Sequence, residues 1–490
     1  MDKKKKLNKP LLIFTLVDLI LIFILMVNIT KLGVIPFKYI LLIVLILFLI
    51  FTITILIQKL RKHRKLYRGI SYTIFIIMLI ISIAGIYYSG VTLKFLRESF
   101  NKANNSYTSK YIIVSKNNYS NEYDLIGKKI GYYSNVPHID KAIAKLNGII
   151  DFEEIGYKSI IDLYNKYDKE LDAILMQEDF YKGIKETLTN ISYNDYKEIY
   201  SYEITIDENV NTDELKDVVN IYIGGFDFTE NNNDLNMIVT MNRKTRKILL
   251  TSIPRDYYLY VPSLGMEEAI DYTMVWGIDQ PIGALEKLFN ITIDYYIKVN
   301  TSSLVGLVDA LGGVNYCSDI SFKTTHALVD DTYDDTKGNK LYVEKGCKEY
   351  NGVEILTIAR ERLAFPGGDR QRQKNCQQIL INIANKIASA GSITKYTELL
   401  DKLSDLYTTN MPSKLLTGAL NDTIDGNKWS VETQSVDGDS GFGMIHVGTV
   451  RTWSVMIPDM DTVNAAITKI KEISENWYFL LRGYLWKRRS

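Results

Sequence analysis

Three long apolar runs near the start constrain this chain more than any other feature. They cover Leu11–Ile29, Tyr39–Ile57 and Ile70–Leu93, and each approaches the ~20 residues that a helix needs to cross a bilayer. The chain has 490 residues, of which 47% are hydrophobic and 23% charged, and the hydrophobic excess lies in these runs. A cleaved signal peptide would explain the first run but not the two that follow. The sequence therefore predicts a membrane domain with three transmembrane helices over residues 1–94.

Basic residues flank these runs unevenly. Lysines occupy positions 3–6 and 9, and the connection after the second run has six basic residues, whereas the connection Thr30–Lys38 has two. Because basic residues concentrate on the cytoplasmic side of a membrane, the N-terminus and the second connection are predicted to be cytoplasmic. Three spans then place everything after residue 94 outside. We expect a multi-pass protein of the cell membrane with extracellular C-terminal domains.

Charge and histidine content argue against two classes of function. The net charge is +1, and the four histidines have no spacing typical of metal ligands. A domain that binds duplex DNA usually has a basic face and a basic overall balance, so we expect no nucleic-acid partner. Zinc sites use Cys and His at characteristic spacings, which this sequence lacks.

The three cysteines are informative in an exported region, because disulfides persist outside the cytoplasm. Cys317 and Cys347 flank the Asp-rich segment Asp319–Lys345, and a disulfide between them would close that loop. Two free buried cysteines are the alternative, since the sequence does not give the distance between them. If the bridge forms, Cys376 is the odd thiol.

Residues 100–215 alternate short strand patterns with amphipathic helical patterns. Apolar residues at i, i+3 and i+4 indicate the helices, and the alternation predicts a small α/β accessory domain. The predicted strands are Tyr111–Val114, Lys129–Tyr133 and Ala173–Met176, and the predicted helices are Ile139–Leu146 and Ser159–Tyr167. Nothing in this segment suggests chemistry, so we expect an interaction or spacer role.

Residues 217–475 predict a second layered α/β domain, and residues 476–490 form a basic tail. Strand patterns again alternate with helical ones. The predicted strands are Val219–Gly224, Met237–Asn242, Lys247–Ser252 and Ile293–Val299, and the predicted helices are Asp279–Phe289, Ser302–Leu311, Val353–Arg360 and Arg370–Ala388. We expect the third of these helices to end at Arg360, because Arg360 and Arg362 would diverge on a regular helix.

Arginines gather around a turn in this second domain. Arg360 and Arg362 precede Pro366-Gly367-Gly368, and Arg370 and Arg372 follow it. Guanidinium groups grip phosphate oxygens bidentately and stay charged, and the first turn of the following helix also favours an anion. A pyrophosphate site is one hypothesis. A network of surface ion pairs, which are individually weak, is the other, and we expect that role for Arg370.

Six motifs follow one another in this domain. They are Gly225-Phe226-Asp227, Asp234–Met237, Leu250–Asp256, Ile293–Tyr296, Val308–Val314 and Arg360–Arg372. On these motifs the chain resembles the LytR-CpsA-Psr (LCP) family, and its layout resembles the capsule-type members with three spans and an accessory domain. The resemblance implies an α/β sandwich around a mixed central sheet. It also implies a phosphotransferase that moves a glycopolymer, such as capsular polysaccharide or teichoic acid, from a polyprenyl-pyrophosphate carrier to peptidoglycan.

The resemblance also implies roles for particular residues. It assigns Mg²⁺ to Asp227 and Asp234, and gives Asp369 the role of supporting the arginines or accepting the proton of the acceptor hydroxyl. The lipid diphosphate would be held by Arg255, Arg360, Arg362 and Arg372. The implied partners are the carrier-linked glycan, peptidoglycan, membrane lipid and proteins of polysaccharide biosynthesis or export. We expect the arginines to lie on a cleft surface, where their removal would spare the fold.

Two positions depart from the family pattern. Relatives commonly have an arginine just before the aspartate at 234, where this chain has Asn231-Asn232-Asn233, and often have Asn-Gln-Gln where this chain has Asn375-Cys376-Gln377. Two other functions therefore stay open. One is a catalytically weak scaffold or regulator that binds the lipid carrier in a polysaccharide export complex. The other is a polyprenyl-pyrophosphate pyrophosphatase, which would use water as the acceptor.

Overall fold

The protein begins with three helices that are long and apolar enough to cross a membrane. A computed structural model describes residues 9–58, 64–100, 107–134, 139–158, 160–178, 181, 196–206, 216–226, 233–327, 340–389, 396–426, 428–446 and 451–475. The helices are α1 (Lys9–Leu32), α2 (Phe37–Gln58) and α3 (Arg64–Phe100). The prediction of three apolar spans is confirmed, and these helices form a membrane anchor. The predicted basic tail at 476–490 lies outside the described residues.

The first and third helices pack closely. Asn28 Nδ2 on α1 donates to Ser89 Oγ on α3 at 3.1 Å. One turn earlier on α3, a Cβ added at Gly85 would lie 2.8 Å from Leu25 Cδ1. A glycine and a side-chain hydrogen bond therefore join the two helices, as is common where helices meet within a membrane.

A first α/β unit follows the membrane helices. Its strands are β1 (Tyr107–Ser115), β2 (Lys129–Tyr133), β3 (Glu153–Tyr157), β4 (Ala173–Gln177) and β5 (Lys197–Ile206), and its helices are α4 (Ile139–Asn147) and α5 (Ile160–Glu170). The strand order is β3-β2-β4-β1-β5, with β2 parallel to β3 and β4, and β1 antiparallel to β4 and β5. Helix α4 buries Ile139, Ala142, Ile143 and Leu146, which is the stripe that its i, i+3, i+4 spacing predicts.

The rest of the chain forms a second, larger α/β unit. Its strands are β6 (Val218–Phe226), β7 (Asn233–Asn242), β8 (Lys247–Ile253), β9 (Tyr258–Val261), β10 (Met266–Ala269), β11 (Tyr295–Asn300), β12 (Val314–Ser318), β13 (Phe322–Ala327), β14 (Lys340–Val343), β15 (Gly346–Tyr350), β16 (Tyr407–Thr409), β17 (Ser430–Ser435), β18 (Gly438–Ile445) and β19 (Arg451–Pro458). Its helices are α6 (Asp279–Phe289), α7 (Thr301–Ala310), α8 (Gly352–Arg360), α9 (Asp369–Ser389), α10 (Tyr396–Leu406), α11 (Ser413–Ile424) and α12 (Met460–Ser474).

Six strands form the central sheet in the order β16-β11-β6-β7-β8-β17. Strands β11 and β17 run parallel to their neighbours β6 and β8, whereas the other pairs are antiparallel. The predicted mixed α/β fold is therefore confirmed. The register pairs Asn236 with Ile253. Two residues further out, this register brings Asp234 and Arg255 side by side, at one end of the sheet.

The two faces of this sheet are buried against different partners, because side chains alternate along a strand. Tyr222, Ile238 and Leu249 pack in one cluster with residues of α6 and α12. Val219 and Ile221 point the other way and pack with α11 and the end of α3. The central sheet is thus a buried layer between helices, which is the arrangement predicted for the second domain.

The membrane anchor contacts this second sheet directly. Leu96 and Phe100 of α3 are buried in the cluster that contains Val219 and Ile221. The short connection between α1 and α2 also contacts α11, since Asn421 Nδ2 donates to Gly33 O at 3.3 Å. That connection and the sheet therefore lie on the same side of the three-helix anchor.

Cys317 and Cys347 form a disulfide. They lie directly opposite each other on the antiparallel strands β12 and β15. The bond closes the loop between these strands, which contains residues 328–339 outside the described part of the chain. Cys376 is the free cysteine, and it is buried.

Replacing Gly352 by alanine should destabilise the second α/β unit. A Cβ at Gly352, the first residue of α8, would lie 2.2 Å from Val305 O on α7, and backbone cannot yield as a side chain can. We expect a loss of about 1–3 kcal/mol, measured by thermal unfolding of the full chain in detergent. Gly283 on α6 has open space around its Cβ position, so Gly283→Ala is the matched control and should be neutral or stabilising. Equal stability of the two variants would contradict the described α7–α8 contact.

Candidate active site

The segment that contains the clustered arginines is a break between two helices. Helix α8 ends at Arg360, as predicted, because Glu361 has extended backbone angles (φ −69°, ψ 126°). The Glu361 carboxylate is fully buried and accepts hydrogen bonds from Thr325 Oγ1 at 2.8 Å and from Ala364 N at 2.9 Å. Glu361 therefore anchors the break, and Arg360 and Arg362 lie on either side of it.

Arg255 occupies the end of the central strand β8. Its guanidinium donates to Asp234 Oδ1 across the strand ends, and its Nε lies 3.2 Å from Asp256 Oδ1. Burial lowers the pKa of Arg255, but the Asp234, Asp256 and Asp271 carboxylates outweigh it and raise the pKa above its ordinary value. Arg255 is therefore a permanent cation, held at the centre of an acidic neighbourhood.

Arg372 lies in the first turn of α9 and is only 5% exposed. Its Nε donates to Asp369 Oδ1 at 2.7 Å, and its Nη1 donates to the backbone carbonyl of Asp234 at 2.7 Å. The expectation that the arginines sit on a cleft surface is wrong for this residue. Arg372 is buried because two acceptors satisfy its guanidinium, so its removal would also leave Asp369 without its cation.

The charges of three arginines, 255, 362 and 372, act on one carboxylate, Asp256. All three lower its pKa, although burial is the largest effect and leaves the pKa of Asp256 raised overall. Asp369 differs. Burial alone would raise the pKa of Asp369, but the charge of Arg372 and hydrogen bonds from Arg372 and Gln373 hold it below its ordinary value. The sequence-predicted residues Arg255, Arg362, Asp369 and Arg372 therefore share one electrostatic neighbourhood with Asp234 and Asp256.

Arg360 and Arg370, the other two arginines of the cluster, differ in exposure and in position. Arg360 is the last residue of α8, half-buried and two residues from Arg362. Arg370 is exposed, and its Nε donates to both oxygens of Asp437 at 2.6 and 2.8 Å. The surface ion pair expected for Arg370 is therefore present.

Asp271 is a site residue that the sequence analysis missed. It is 6% exposed, and its backbone joins the two halves of the site, because Asp271 N donates to Arg255 O at 3.0 Å and Asp271 O accepts from Asn233 N at 2.9 Å. Within the described part of the chain, its Oδ1 has no hydrogen-bond partner. Burial raises the pKa of Asp271 well above its ordinary value, with Arg255 opposing that shift. A lone carboxylate after the apolar pair Ala269-Ile270 was the available signal.

Of the three asparagines that replace the expected arginine, the structure describes Asn233 alone. Asn233 is buried, and its Nδ2 donates to Asn236 Oδ1 at 2.6 Å. Tyr222 OH donates to the same oxygen at 2.6 Å. This polar network joins the start of β7 to Tyr222 of β6, so the Asn233 amide is not available as a donor to a phosphate. Asn232 lies outside the described residues.

Cys376 links the two helices that bear the arginines. It lies one turn after Arg372 on α9, and its Sγ donates to Ala359 O on α8 at 3.4 Å. Burial raises the pKa of Cys376 to about 11, so the thiol stays protonated at neutral pH. On these contacts Cys376 is a packing residue between α8 and α9.

Of the two predicted Mg²⁺ ligands, the structure describes only Asp234. Asp234 offers hard carboxylate oxygens, and Asp227, the other predicted ligand, lies outside the described residues. Among the residues that the structure describes, no group of three or more Asp, Glu, His or Cys is arranged to hold a metal. Mg²⁺ does not need such a cage, since it keeps waters and usually binds one or two carboxylates together with substrate phosphates.

Comparison with known proteins places these residues in a family. The model of the LytR_cpsA_psr family matches residues 181–470. Polyisoprenyl-teichoic acid–peptidoglycan teichoic acid transferase TagU of Bacillus cereus is 30% identical over 36% of this chain and 53% of that protein, and TagU of Bacillus licheniformis is 32% identical over 35% and 52%. The matches thus span about half the length of these curated relatives. The crystal structure of B. subtilis TagU is 25% identical over 53% of this chain and 98% of that chain, with a TM-score of 0.40.

Replacing Asp271 by asparagine should stabilise the protein at neutral pH. Because its folded-state pKa is raised, the ionised carboxylate costs stability; this cost is absent below the unfolded pKa, grows as pH rises from there, and is complete above the folded pKa. Asn removes the charge, so we expect a gain of about 1 kcal/mol or more near pH 7 that vanishes under acidic conditions. Thermal unfolding across pH measures it.

The control for this variant is Asp439→Asn, since Asp439 is exposed on β18 and should change stability little at any pH. A loss of stability in Asp271→Asn at neutral pH would indicate instead that the ionised carboxylate is needed to hold Arg255.

Proposed function

Because the chain belongs to the LytR_cpsA_psr family, whose model matches residues 181–470, we propose that it is a glycopolymer–peptidoglycan phosphotransferase. Its donor would be a glycopolymer on a polyprenyl-pyrophosphate carrier, and its acceptor a hydroxyl of peptidoglycan. The observation that supports this best is the pair of Arg255 and Asp234 at the end of the central sheet, next to Asp256, on which the charges of Arg255, Arg362 and Arg372 all act. The names of the Bacillus relatives, teichoic acid transferases, agree with it.

The arginines would act by binding and orienting the diphosphate. Phosphoryl transfer depends mainly on positioning and on neutralising charge at the phosphate oxygens, and guanidinium forks supply both. Arg255 and Arg362 would contact the diphosphate. Arg360 adds a third cation from the same break between helices. Arg372 is buried and donates hydrogen bonds to Asp369 and to the backbone of Asp234. It would therefore position Asp234 and contribute its positive charge to the site.

We further propose that Mg²⁺ binds at Asp234 together with Asp227. When bound, the ion would neutralise negative charge on the phosphate oxygens. Asp234 is suited to this role because its backbone is fixed by Arg372 and its carboxylate already pairs with a cation, Arg255. A second cation at the same carboxylate would therefore meet an oxygen donor that is held in place before the substrate arrives.

The membrane anchor supports an outward-facing site. We propose that the N-terminus is cytoplasmic and that both α/β units are extracellular, as the distribution of basic residues predicts. Asn421 of α11 contacts Gly33 in the connection between α1 and α2. By charge this connection is the non-cytoplasmic one, so the contact agrees with the second α/β unit lying outside, where the peptidoglycan acceptor and the lipid-linked donor would meet.

A scaffold that binds the carrier without transferring its glycan is the second candidate. The sequence Asn231-Asn232-Asn233 favours it, because relatives commonly have an arginine there, and Asn233, the one of the three that the structure describes, bonds to Asn236. We rank it second because Arg255 and Arg372 both bind Asp234 and the charge of Arg362 acts on the neighbouring Asp256.

Transfer should require the guanidinium fork at position 255. We would incubate the full chain in detergent with a radiolabelled, polyprenyl-pyrophosphate-linked glycan and peptidoglycan oligomers. Arg255→Lys keeps the charge but loses the fork, so we expect kcat/KM to fall by about 10²-fold or more. Arg370→Lys is the control, because that side chain is 55% exposed and bound to Asp437, and should retain activity. Donor bound but neither transferred nor hydrolysed by the wild type would favour the scaffold.

Removing the divalent ion should stop the reaction. We expect a chelator to abolish transfer and Mg²⁺ to restore it. Binding of Mn²⁺, followed by electron paramagnetic resonance as a probe of the same site, should weaken by about tenfold or more in Asp234→Asn, whereas Asp439→Asn should bind as the wild type does. Transfer that persists after chelation, with Mn²⁺ binding unchanged in Asp234→Asn, would refute this metal site.

A further inference from the structure

Four carboxylates lie around Arg255, and transfer to a hydroxyl needs one of them to take a proton. They are Asp234, Asp256, Asp271 and Asp369, all of which interact with the Arg255 charge. A general base must be ionised, reachable by the acceptor and free to bond its proton. These three requirements separate the four residues.

Three of the carboxylates fail at least one requirement. Asp369 is 14% exposed, and its two oxygens accept hydrogen bonds from Arg372 Nε at 2.7 Å and Gln373 Nε2 at 3.0 Å. Asp271 is buried behind Arg255. Asp234 accepts a hydrogen bond from Arg255, and its carboxylate is the one proposed to bind Mg²⁺. Asp369 and Asp234 thus hold arginines in place, and an acceptor cannot reach Asp271.

Asp256 meets the requirements of access and of a free oxygen. Its side chain is 38% exposed, and within the described part of the chain its only ion pair is made by Oδ1, 3.2 Å from Arg255 Nε. Oδ2 is therefore available. The backbone is fixed, because Asp256 O accepts a hydrogen bond from Met456 N of β19 at 2.7 Å. The carboxylate thus has a set position and a free oxygen that solvent can reach.

The charges that face Asp256 come from three elements. Arg255 lies beside it at the end of β8, Arg362 lies in the break after α8, and Arg372 and Asp369 lie on α9. The arginines favour the ionised form and Asp369 opposes it. Partial burial raises the pKa of Asp256 against the opposing charge of the arginines, and a raised pKa makes a carboxylate a stronger proton acceptor than an ordinary aspartate.

We propose that Asp256 is the general base of the transfer, accepting the proton of the acceptor hydroxyl; this rests on the proposed phosphotransferase function. The acceptor oxygen forms a bond to the phosphorus that carries the glycan. The bond from that phosphorus to the bridging oxygen of the diphosphate breaks, and polyprenyl phosphate leaves with that electron pair. The hydroxyl proton passes to Asp256 Oδ2 and then to water. Asp369 is a positioning residue, which holds Arg372.

The test compares Asp256→Asn, Asp256→Glu and Asp369→Asn in the full chain. We would measure kcat and KM for transfer from a carrier-linked glycan across pH, and the Kd of undecaprenyl pyrophosphate. Asp256→Asn should lower kcat by about 10²–10⁴-fold, leave the Kd near that of the wild type, and abolish the decline of the rate on the acidic side. Asp256→Glu should restore part of the rate with a shifted acidic limb. Asp369→Asn should raise the Kd and keep that limb.

The outcomes separate this proposal from the function on which it rests. Suppose that the wild type transfers the glycan and that Asp256→Asn keeps the decline of the rate at acidic pH. That result would overturn the assignment of Asp256 as the base but not the proposed function. If the wild type hydrolyses the carrier instead of transferring the glycan, the same variants test Asp256 with water as the acceptor, and loss of the acidic limb would support it. A wild type that does neither would overturn the proposed function and the base together.

Discussion

The candidate site depends on Asp234, because arginines from two distant parts of the chain bind its carboxylate and its backbone carbonyl. Arg255, 21 residues later, binds the carboxylate of Asp234, and Arg372, 138 residues later, binds its backbone carbonyl. Each arginine comes from a different element, the end of β8 and the first turn of α9. The start of β7 therefore fixes the distance between the central sheet and the helix. Any shift of Asp234 would move both cations.

The carboxylates in the candidate site explain why several arginines can lie close together there. Like charges in a partly buried site repel strongly unless carboxylates lie between them. Here Asp234, Asp256, Asp271 and Asp369 alternate with the arginines, and the neighbourhood is close to neutral before any ligand enters. Under the proposed function, an incoming diphosphate would take over guanidinium donors from these carboxylates, so that binding would exchange one set of anionic partners for another.

Local structure was largely predictable from the sequence, and the site was predictable only in part. The helix Asp279–Phe289 and the strand Lys129–Tyr133 have the predicted bounds, because their apolar spacing and their turns are local signals. The break at Arg360 also followed from spacing. The burial of Arg372 and the role of Asp271 did not, since both depend on contacts with residues more than 15 positions away. Motif resemblance named the arginines, but their partners come from the register of β7 and β8 and the docking of α9.

The continuous course of α3 limits how far the second α/β unit can reach. This helix has 37 residues, about 55 Å of length at 1.5 Å per residue, and a bilayer core takes up only about 30 Å. It passes from the membrane into the cluster beneath the central sheet without a flexible segment, since Leu96 and Phe100 are already buried there. The second α/β unit is thus held at a fixed height above the membrane. If the proposed function holds, peptidoglycan strands would be modified only where they reach the membrane surface.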